Sequence, residues 1–141
     1  MRRLSRVTVV GAMLGLSIMV PSPAMANPYT PQGVCGSGYS VIDSYTSTYA
    51  DAFLLWNGSY NCVVAMKKGA SVGTSHYTRA WLEVRGQASG YDDFQTDGGT
   101  YQYYAGPVKL YGVNRCVMWG GYQYYGSSMY GGGTTNWEHC A

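Results

Sequence analysis

The chain has 141 residues and a formal net charge of +2, and it contains 20 glycines and 15 tyrosines. Three of its nine basic residues lie within the first six positions, and the rest of the chain has six basic residues against seven acidic ones. A chain whose remaining residues are this close to neutral lacks the electropositive surface with which proteins bind nucleic acid or an anionic membrane. We therefore expect neither partner.

The first 26 residues have the pattern of a secretory signal peptide. Three arginines precede an uncharged run over residues 7–20, and an Ala-Met-Ala triplet at 24–26 ends the segment. These are the basic, apolar and cleavage regions that the export machinery reads. An uncleaved anchor is the alternative, but a membrane span needs about 20 apolar residues and this run is shorter. We therefore predict a cleaved signal peptide at 1–26, a secreted mature chain that begins at Asn27, and no stable membrane anchor.

Residues 27–34 follow the predicted cleavage site and include Pro28 and Pro31. We expect them to form a loose N-terminal arm. The remainder, 35–141, has the length of a single domain. A domain of this size buries only a modest core, so covalent cross-links would add substantially to its stability.

The four cysteines all lie in this domain, and an even number in a small exported protein predicts two disulfides. Of the three possible pairings we prefer the sequential one, because each bond then staples neighbouring strands and closes a short loop. It joins Cys35 to Cys62 and Cys116 to Cys140, with about 3.5 kcal/mol of loop entropy for each bond. A four-thiolate zinc site is the alternative, but it needs close Cys-x-x-Cys pairs, which the sequence lacks.

The apolar runs of the domain are short, rich in β-branched and aromatic residues, and separated by turn residues. This pattern predicts an all-β fold, a small disulfide-stapled antiparallel β-sandwich or barrel. After a first strand at 39–45, the clearest hairpin has strands at 49–56 and 59–66. Asn57 and Gly58 join them and supply the positive φ angles of a type I′ turn. The predicted register pairs Asp51 with Val64, Phe53 with Cys62, and Leu55 with Tyr60.

A strand at 76–85 alternates with a period of two, so its side chains divide between two faces. The face expected in the core consists of Thr78, Ala80, Leu82 and Val84. The outward face consists of Tyr77, Arg79, Trp81, Glu83 and Arg85. Further strands are predicted at 101–105, 108–113, 116–119 and 135–140, with turns at 97–99 and 112–115.

The sequence Tyr-Gln-Tyr-Tyr occurs twice, at 101–104 and 122–125. We interpret the first copy as a strand with one packed face. The second lies in 120–133, where glycine, tyrosine and serine predict an exposed flexible loop with aromatic tips. Aromatic rings with a polar edge suit sugars and other surfaces, although the loop tyrosines could instead fold back over the core. The candidate binding residues are Tyr77 and Trp81 in the predicted strand and Tyr122, Tyr124, Tyr125 and Tyr130 in the predicted loop.

Catalytic and metal-binding motifs give no assignment. His76 and His139 lie outside nucleophile and metal-binding motifs, and we interpret them as packed or surface residues. Carboxylates for glycoside hydrolysis are available at Asp43, Asp51, Glu83 and Glu138, but the sequence places no two of them in one cleft. Asp92, Asp93 and Asp97 crowd a predicted turn and lack the spacing of a calcium loop, and ordinary turn chemistry explains them. We therefore predict no catalytic residue, metal or cofactor.

Six motifs along the mature chain form a recognisable pattern. They are Cys35-Gly36-Ser37-Gly38-Tyr39, Val41-Ile42-Asp43-Ser44, Asn61-Cys62-Val63-Val64, Tyr-Ala-Gly-Pro-Val at 104–108, Cys116-Val117 with Trp119-Gly120-Gly121, and His139-Cys140. This pattern resembles the spore-associated protein A family of actinomycetes. The resemblance implies a small exported protein found with the spore surface or aerial growth, and it brings no catalytic residues. The tyrosine-rich insert at 122–130 lies outside the family pattern.

These observations favour a secreted, non-enzymatic protein that coats or adheres to the spore coat or cell wall through an exposed tyrosine- and glycine-rich surface. One alternative is an extracellular polysaccharide-binding module that uses the same rings. The other is a small secreted hydrolase or inhibitor. A concave pocket that gathers His76 or His139 with a carboxylate would favour the hydrolase.

Overall fold

Two antiparallel sheets face each other across a hydrophobic core. The computed structural model describes residues 18–20, 25–86 and 90–140, within which each sheet has four strands. The elements are α1 (Pro31–Cys35), β1 (Ser40–Thr46), β2 (Ala50–Trp56), β3 (Tyr60–Lys67), a 3-10 turn (Gly69–Ser71), β4 (His76–Val84), β5 (Asp93–Tyr101), β6 (Tyr104–Tyr111), β7 (Val117–Tyr125) and β8 (Ser128–Gly133). The strand order is β1-β2-β3-β6 in the first sheet and β5-β4-β7-β8 in the second. The all-β prediction is confirmed, and of the two expected architectures the protein has the sandwich.

The main core lies between the sheets, and β4 supplies one side of it. The four β4 residues predicted to be buried are fully buried, namely Thr78, Ala80, Leu82 and Val84. Ala80, Leu82 and Val84 pack with Leu54 and Val63 of the first sheet and with Trp119 of β7. The sheets approach closely, because a Cβ placed on Gly121 would lie only 2.6 Å from the Cβ of Ala65. Glycine at this position therefore permits the observed packing.

A second, smaller core lies on the outer side of the first sheet, beneath α1. It contains Cys35, Leu55, Cys62, Val64 and Met66. α1 begins after Thr30, whose side-chain oxygen accepts a hydrogen bond from the backbone N–H of Gly33 at 3.0 Å. Such a cap, followed by proline in the first turn, favours helix initiation.

The segment 27–34 differs from the loose arm that the sequence predicts. It contains most of α1, and the side-chain amide of Asn27 donates hydrogen bonds to the carbonyls of Lys67 and Tyr103 at 3.0 and 2.8 Å. The ring of Tyr29 lies 5.4 Å from that of Tyr103. These long-range contacts, which local sequence patterns do not reveal, hold the segment against the sandwich.

The two disulfides have the sequential pairing, as preferred from the sequence. Cys35 bonds to Cys62 and Cys116 to Cys140. The first bond joins α1 to β3 inside the smaller core, where both cysteines are buried. The second joins the residue before β7 to the C-terminal segment, where Cys140 is exposed.

The β2–β3 hairpin forms, but its predicted register is wrong. Leu55 pairs with Cys62 and Phe53 with Val64, so the turn centres on Gly58 and Ser59. The side-chain oxygen of Asn57 accepts hydrogen bonds from the backbone N–H groups of Ser59 and Tyr60 at 2.9 and 2.7 Å. Asn57 thus caps the turn from outside. The partners move by two positions, and a shift by an even number leaves each side chain on the same face of the sheet as the predicted pairing would.

Several boundaries in the C-terminal half are also corrected. Residues 97–99, predicted as a turn, lie inside β5. The two strands predicted at 101–105 and 108–113 are largely one strand, β6, which passes Gly106 and Pro107 through a bulge opposite Val64. Proline is tolerated there because β6 is an edge strand of its sheet.

Of two further predicted elements, one is confirmed and the other is largely absent from the described residues. The turn at 112–115 is confirmed, with the N–H of Arg115 bonded to the carbonyl of Gly112 at 3.1 Å. The strand predicted at 135–140 is reduced to one bridge between Glu138 and Val117.

The stretch 120–133 is a β-hairpin and not the predicted flexible loop. It consists of most of β7, a short turn, and β8. Gly120 and Gly121 are buried, and the main chain of β8 passes close to Gly120. These glycines therefore meet packing constraints, and their number misled the prediction of flexibility.

Residues 1–17 and 21–24 of the predicted signal peptide lie outside the described residues. In the part of the chain that is described, no helix is long and apolar enough to cross a membrane.

Candidate functional site

The outer side of the second sheet carries four of the six predicted binding residues. Because alternate residues of β4 fill the core, Tyr77, Arg79 and Trp81 point away from it. The same alternation applies to the neighbouring strands β5 and β7. We call this surface the aromatic face and define it by Tyr77, Arg79, Trp81, Phe94, Tyr122 and Tyr124.

Three tyrosine rings cluster at one end of the aromatic face. Tyr122 pairs with Arg79 in the sheet, and Gln123 is fully buried, so Tyr122 and Tyr124 both lie on the outer side. The ring centroids of Tyr77, Tyr122 and Tyr124 lie 5.8 to 6.5 Å apart. Tyr77 is 42% exposed and Tyr124 is 45% exposed, so a ligand can reach the cluster.

Glycines form the floor beneath the larger rings. A Cβ on Gly120 would lie 2.8 Å from Nε1 of Trp81, and a Cβ on Gly133 would lie 2.8 Å from its Cζ2. A Cβ on Gly98 would lie 2.6 Å from the hydroxyl of Tyr77. The rings therefore lie low across the backbone of neighbouring strands, and the face is flatter than a sheet with ordinary side chains at these positions.

The polar groups of the aromatic face are few. Nε of Arg79 donates a hydrogen bond to Oγ1 of Thr96 at 2.8 Å, and that hydroxyl donates to the carbonyl of Ala80 at 3.0 Å. Within the described residues, the terminal guanidinium nitrogens of Arg79 have no protein partner. Glu83 is the other charged side chain at the outward positions of β4. The face is thus nearly neutral and offers unused hydrogen-bond donors beside the rings.

The remaining two predicted binding residues, Tyr125 and Tyr130, lie apart from this face. Both pack against Tyr49, with ring centroids at 4.3 and 4.7 Å, and Tyr125 also contacts His76 at 5.0 Å. They cover one end of the sandwich. The alternative in which tyrosines of 120–133 fold back over the core therefore describes these two residues, whereas Tyr124 is exposed.

The first Tyr-Gln-Tyr-Tyr copy lies at the connection between β5 and β6. Tyr103 and Tyr104 contact Tyr29 there, and with Tyr101 they line an open groove of about 510 Å³. The hydroxyl of Tyr101 donates a hydrogen bond to Asp97 at 2.5 Å, which together with burial raises the pKa of Tyr101. Asp97 also accepts from the N–H of Gly106 at 2.7 Å, so it ties β5 to β6.

Lys67 is buried near the same end of the sandwich. Its Nζ donates to the carbonyls of Thr74 and Tyr101 and lies 3.2 Å from Nδ1 of His76. Burial lowers the pKa of Lys67 to about 8. Since Lys67 is only 1% exposed, it is an internal bonding group and is not available to a ligand.

The acidic residues considered for catalysis or calcium are mostly committed to separate contacts. Asp51 pairs with Lys68 at 3.1 Å, and Asp93 pairs with Arg115 at 3.2 Å. Asp92 accepts a hydrogen bond from the backbone of Gly86. The structure therefore does not gather Asp92, Asp93 and Asp97 into one calcium loop.

His139 does meet a carboxylate. Its Nε2 lies 2.9 Å from Oδ2 of Asp43, and its ring borders a small cavity of about 150 Å³ with Trp56 and Asn61. The described residues that line this cavity include no serine, threonine or cysteine. The pair therefore has no nucleophile beside it in the cavity, and it does not reproduce a nucleophile–histidine–carboxylate arrangement.

Sequence reasoning missed Phe94, which is 51% exposed and pairs with Glu83 on the outer side of β5. The available signal was the spacing of Phe94, Thr96 and Gly98 with a period of two. This spacing did not lead to a predicted strand, because the turn predicted at 97–99 would have ended a strand there.

Fold and aromatic face together define a small, disulfide-stapled β-sandwich with clustered aromatic rings on one outer side. Spore-associated protein A of Streptomyces coelicolor is 36% identical to this chain over 122 residues, which cover 81% of the chain and 75% of that relative. The chain belongs to the spore-associated protein A family. No family model and no solved structure matches it.

Proposed function

We propose that the protein is exported and associates with the surface of spores or cells as a non-enzymatic adhesive protein, through its aromatic face. The family relationship supports the spore association, and the two disulfides suit an oxidising extracellular location. The observation that carries the proposal is the cluster of Tyr77, Tyr122 and Tyr124 beside Trp81 on one glycine-floored side of the sandwich.

A neutral polysaccharide is the partner that this face favours. A sugar ring presents a flat array of C–H groups that stacks on an aromatic ring, and its hydroxyls accept hydrogen bonds from donors beside the ring. Arg79 and the tyrosine hydroxyls are placed to supply such donors. The single Arg79 and single Glu83 leave the face without the charge that nucleic acid or an anionic membrane would require.

The export half of the proposal is tested by the intact mass of the protein in culture fluid. A chain that begins Asn27-Pro28-Tyr29 supports it. Retention of residues 1–26 in the culture-fluid protein contradicts cleavage, and absence of the protein from both culture fluid and cell surface contradicts export.

The adhesive half is tested by sedimentation of the mature protein with chitin, cellulose and peptidoglycan. The test variant is Y77S/Y124S, and the matched control is Y60S/Y111S, which removes an equally exposed tyrosine pair from the first sheet. Loss of polymer binding in the test variant alone supports the proposal. Specific elution from one polymer indicates a polysaccharide-binding module, and equal retention on all three indicates a general coating protein. Binding that is unchanged in Y77S/Y124S contradicts the assignment to the aromatic face.

A further inference from the structure

Three metal-ligating side chains from distant parts of the chain meet at one edge of the sandwich. Asp43 belongs to β1, whereas Glu138 and His139 belong to the C-terminal segment, and 96 positions separate Asp43 from His139. One donor atom of each side chain lies within 4.8 Å of the others. None of the three residues belongs to the aromatic face, so the inference does not rest on the proposed adhesion.

Both sides of the cluster are fixed by the fold. The backbone N–H and C=O of Glu138 bond to Val117 at 2.9 and 2.8 Å, and the next residue but one, Cys140, is held by its disulfide to Cys116. On the other side, the β1–β2 register shifts immediately before Asp43. Such a bulge redirects the side chains of its strand. The ligand atoms are thus brought together by rigid elements of both sheets.

The carboxylate of Asp43 is oriented toward the cluster. One of its oxygens accepts a hydrogen bond from the N–H of Ser44 at 2.8 Å, and the other lies 2.9 Å from Nε2 of His139. A simple ion pair between Asp43 and His139 would engage only one of the two carboxylates. A dication accepts both carboxylates and the neutral imidazole together.

We propose that Asp43, Glu138 and His139 bind a divalent transition metal ion, with Zn²⁺ as the best match. One imidazole nitrogen with two carboxylate oxygens is a donor set that zinc accepts, whereas calcium prefers oxygen donors alone. Ligand atoms around tetrahedral zinc lie about 3.3 Å apart, which follows from bonds of about 2.0 Å. Nε2 of His139 lies 2.9 Å from Oδ2 of Asp43, and all three donor atoms lie within 4.8 Å of one another, so side-chain rotations can bring them to the spacing that zinc requires. Because the side chains are partly exposed, water can occupy the fourth position.

The proposal is tested by calorimetric titration of the mature protein with ZnCl₂ and, separately, with CaCl₂. The protein is purified without a histidine tag, which would itself bind zinc. We expect one zinc ion per chain, weaker binding of calcium, and a melting temperature that rises with zinc concentration. D43N and H139Q should each weaken zinc binding at least about tenfold, since each removes a ligand.

The matched control is H76Q, which removes the other histidine of the chain. Its ring contacts Lys67 and Tyr125 at the start of β4, whereas Val117, which bonds to Glu138, pairs with the end of β4. Zinc affinity should therefore stay unchanged in H76Q. Zinc binding that is absent, that survives in D43N or H139Q, or that is lost in H76Q overturns the proposal. Should a variant fail to fold by circular dichroism, Co²⁺ is titrated into the wild-type protein and followed by NMR. Selective broadening of the His139 ring signals supports the site, and equal or greater broadening at His76 refutes it.

Discussion

Removal of the Cys35–Cys62 disulfide should destabilise the protein more than removal of the Cys116–Cys140 disulfide. The two bonds close loops of similar length, with sequence separations of 27 and 24. The loop-entropy model therefore assigns about 3.5 kcal/mol to each, and it predicts no difference between them. Any difference must come from the surroundings of the sulfur atoms.

Those surroundings differ in burial. Cys35 and Cys62 are 1% and 0% exposed and pack with Leu55, Val64 and Met66, whereas Cys140 is exposed. Replacement of the buried pair by alanine leaves unfilled space, which costs roughly 1–2 kcal/mol in addition. The free energy of unfolding should thus fall by about 5 kcal/mol in C35A/C62A and by about 3.5 kcal/mol in C116A/C140A.

Differential scanning calorimetry measures this difference. At roughly 4 °C per kcal/mol, the melting temperature should fall by about 20 °C in C35A/C62A and about 14 °C in C116A/C140A. Under mild reductant the exposed bond should also open first, because thiolate attack requires access to sulfur. Equal losses in the two variants, or a larger loss in C116A/C140A, would show that burial beneath α1 adds nothing to the contribution of the Cys35–Cys62 bond.

Three further predictions concern the rings, the buried lysine and the glycine floor. In calorimetry, Y125S/Y130S should lower the melting temperature by several degrees, because both rings pack around Tyr49. Y77S/Y124S should change the melting temperature little, because these rings are exposed. Equal shifts in the two variants would contradict the division into packed and exposed rings. Folding lowers the pKa of Lys67 from 10.5 to about 8. Between these pH values the unfolded chain therefore keeps a proton that the folded chain has released. The free energy of unfolding of the wild type, relative to that of K67M, should thus rise with pH in this range. Urea unfolding at several pH values checks this, and a difference that stays constant from neutral to alkaline pH would count against it. Gly120→Ala should lower both the stability and the polymer binding, because its Cβ would lie 2.8 Å from Nε1 of Trp81. Gly126→Ala is the control, since its Cβ would meet open space. Its φ of +62° should lower the free energy of unfolding by about 1 kcal/mol, while sedimentation with polymer stays intact.

The sequence predicted burial best for a strand that has one side in the core and the other in solvent. In β4 the alternation of Thr78, Ala80, Leu82 and Val84 predicted every buried position, because an antiparallel strand with one packed side shows its environment directly. The sequential cysteine pairing was preferred because it closes short loops, but the bonds join α1 to β3 and the residue before β7 to the C-terminal segment, and not two neighbouring strands. Local patterns were sufficient for these features.

Features that depend on tertiary contacts could not be predicted in this way. The glycines of 120–133 indicated flexibility, but Gly120 and Gly133 accommodate Trp81, and Gly121 accommodates the facing sheet. The hairpin register depended on the side chain of Asn57, since the dipeptide Asn-Gly fits more than one turn. The approach of His139 to Asp43 arises from the fold alone.

The most direct test of the central claim is retention of the fluorescently labelled mature protein on washed actinomycete spores. Wild type, Y77S/Y122S/Y124S and the control Y60S/Y111S are compared at matched folded concentrations. With about 1 kcal/mol per ring, loss of three rings should weaken retention by roughly a hundredfold. We expect this loss in the triple variant and wild-type retention in the control. Equal retention of all three proteins, or loss in the control alone, would contradict adhesion through the aromatic face.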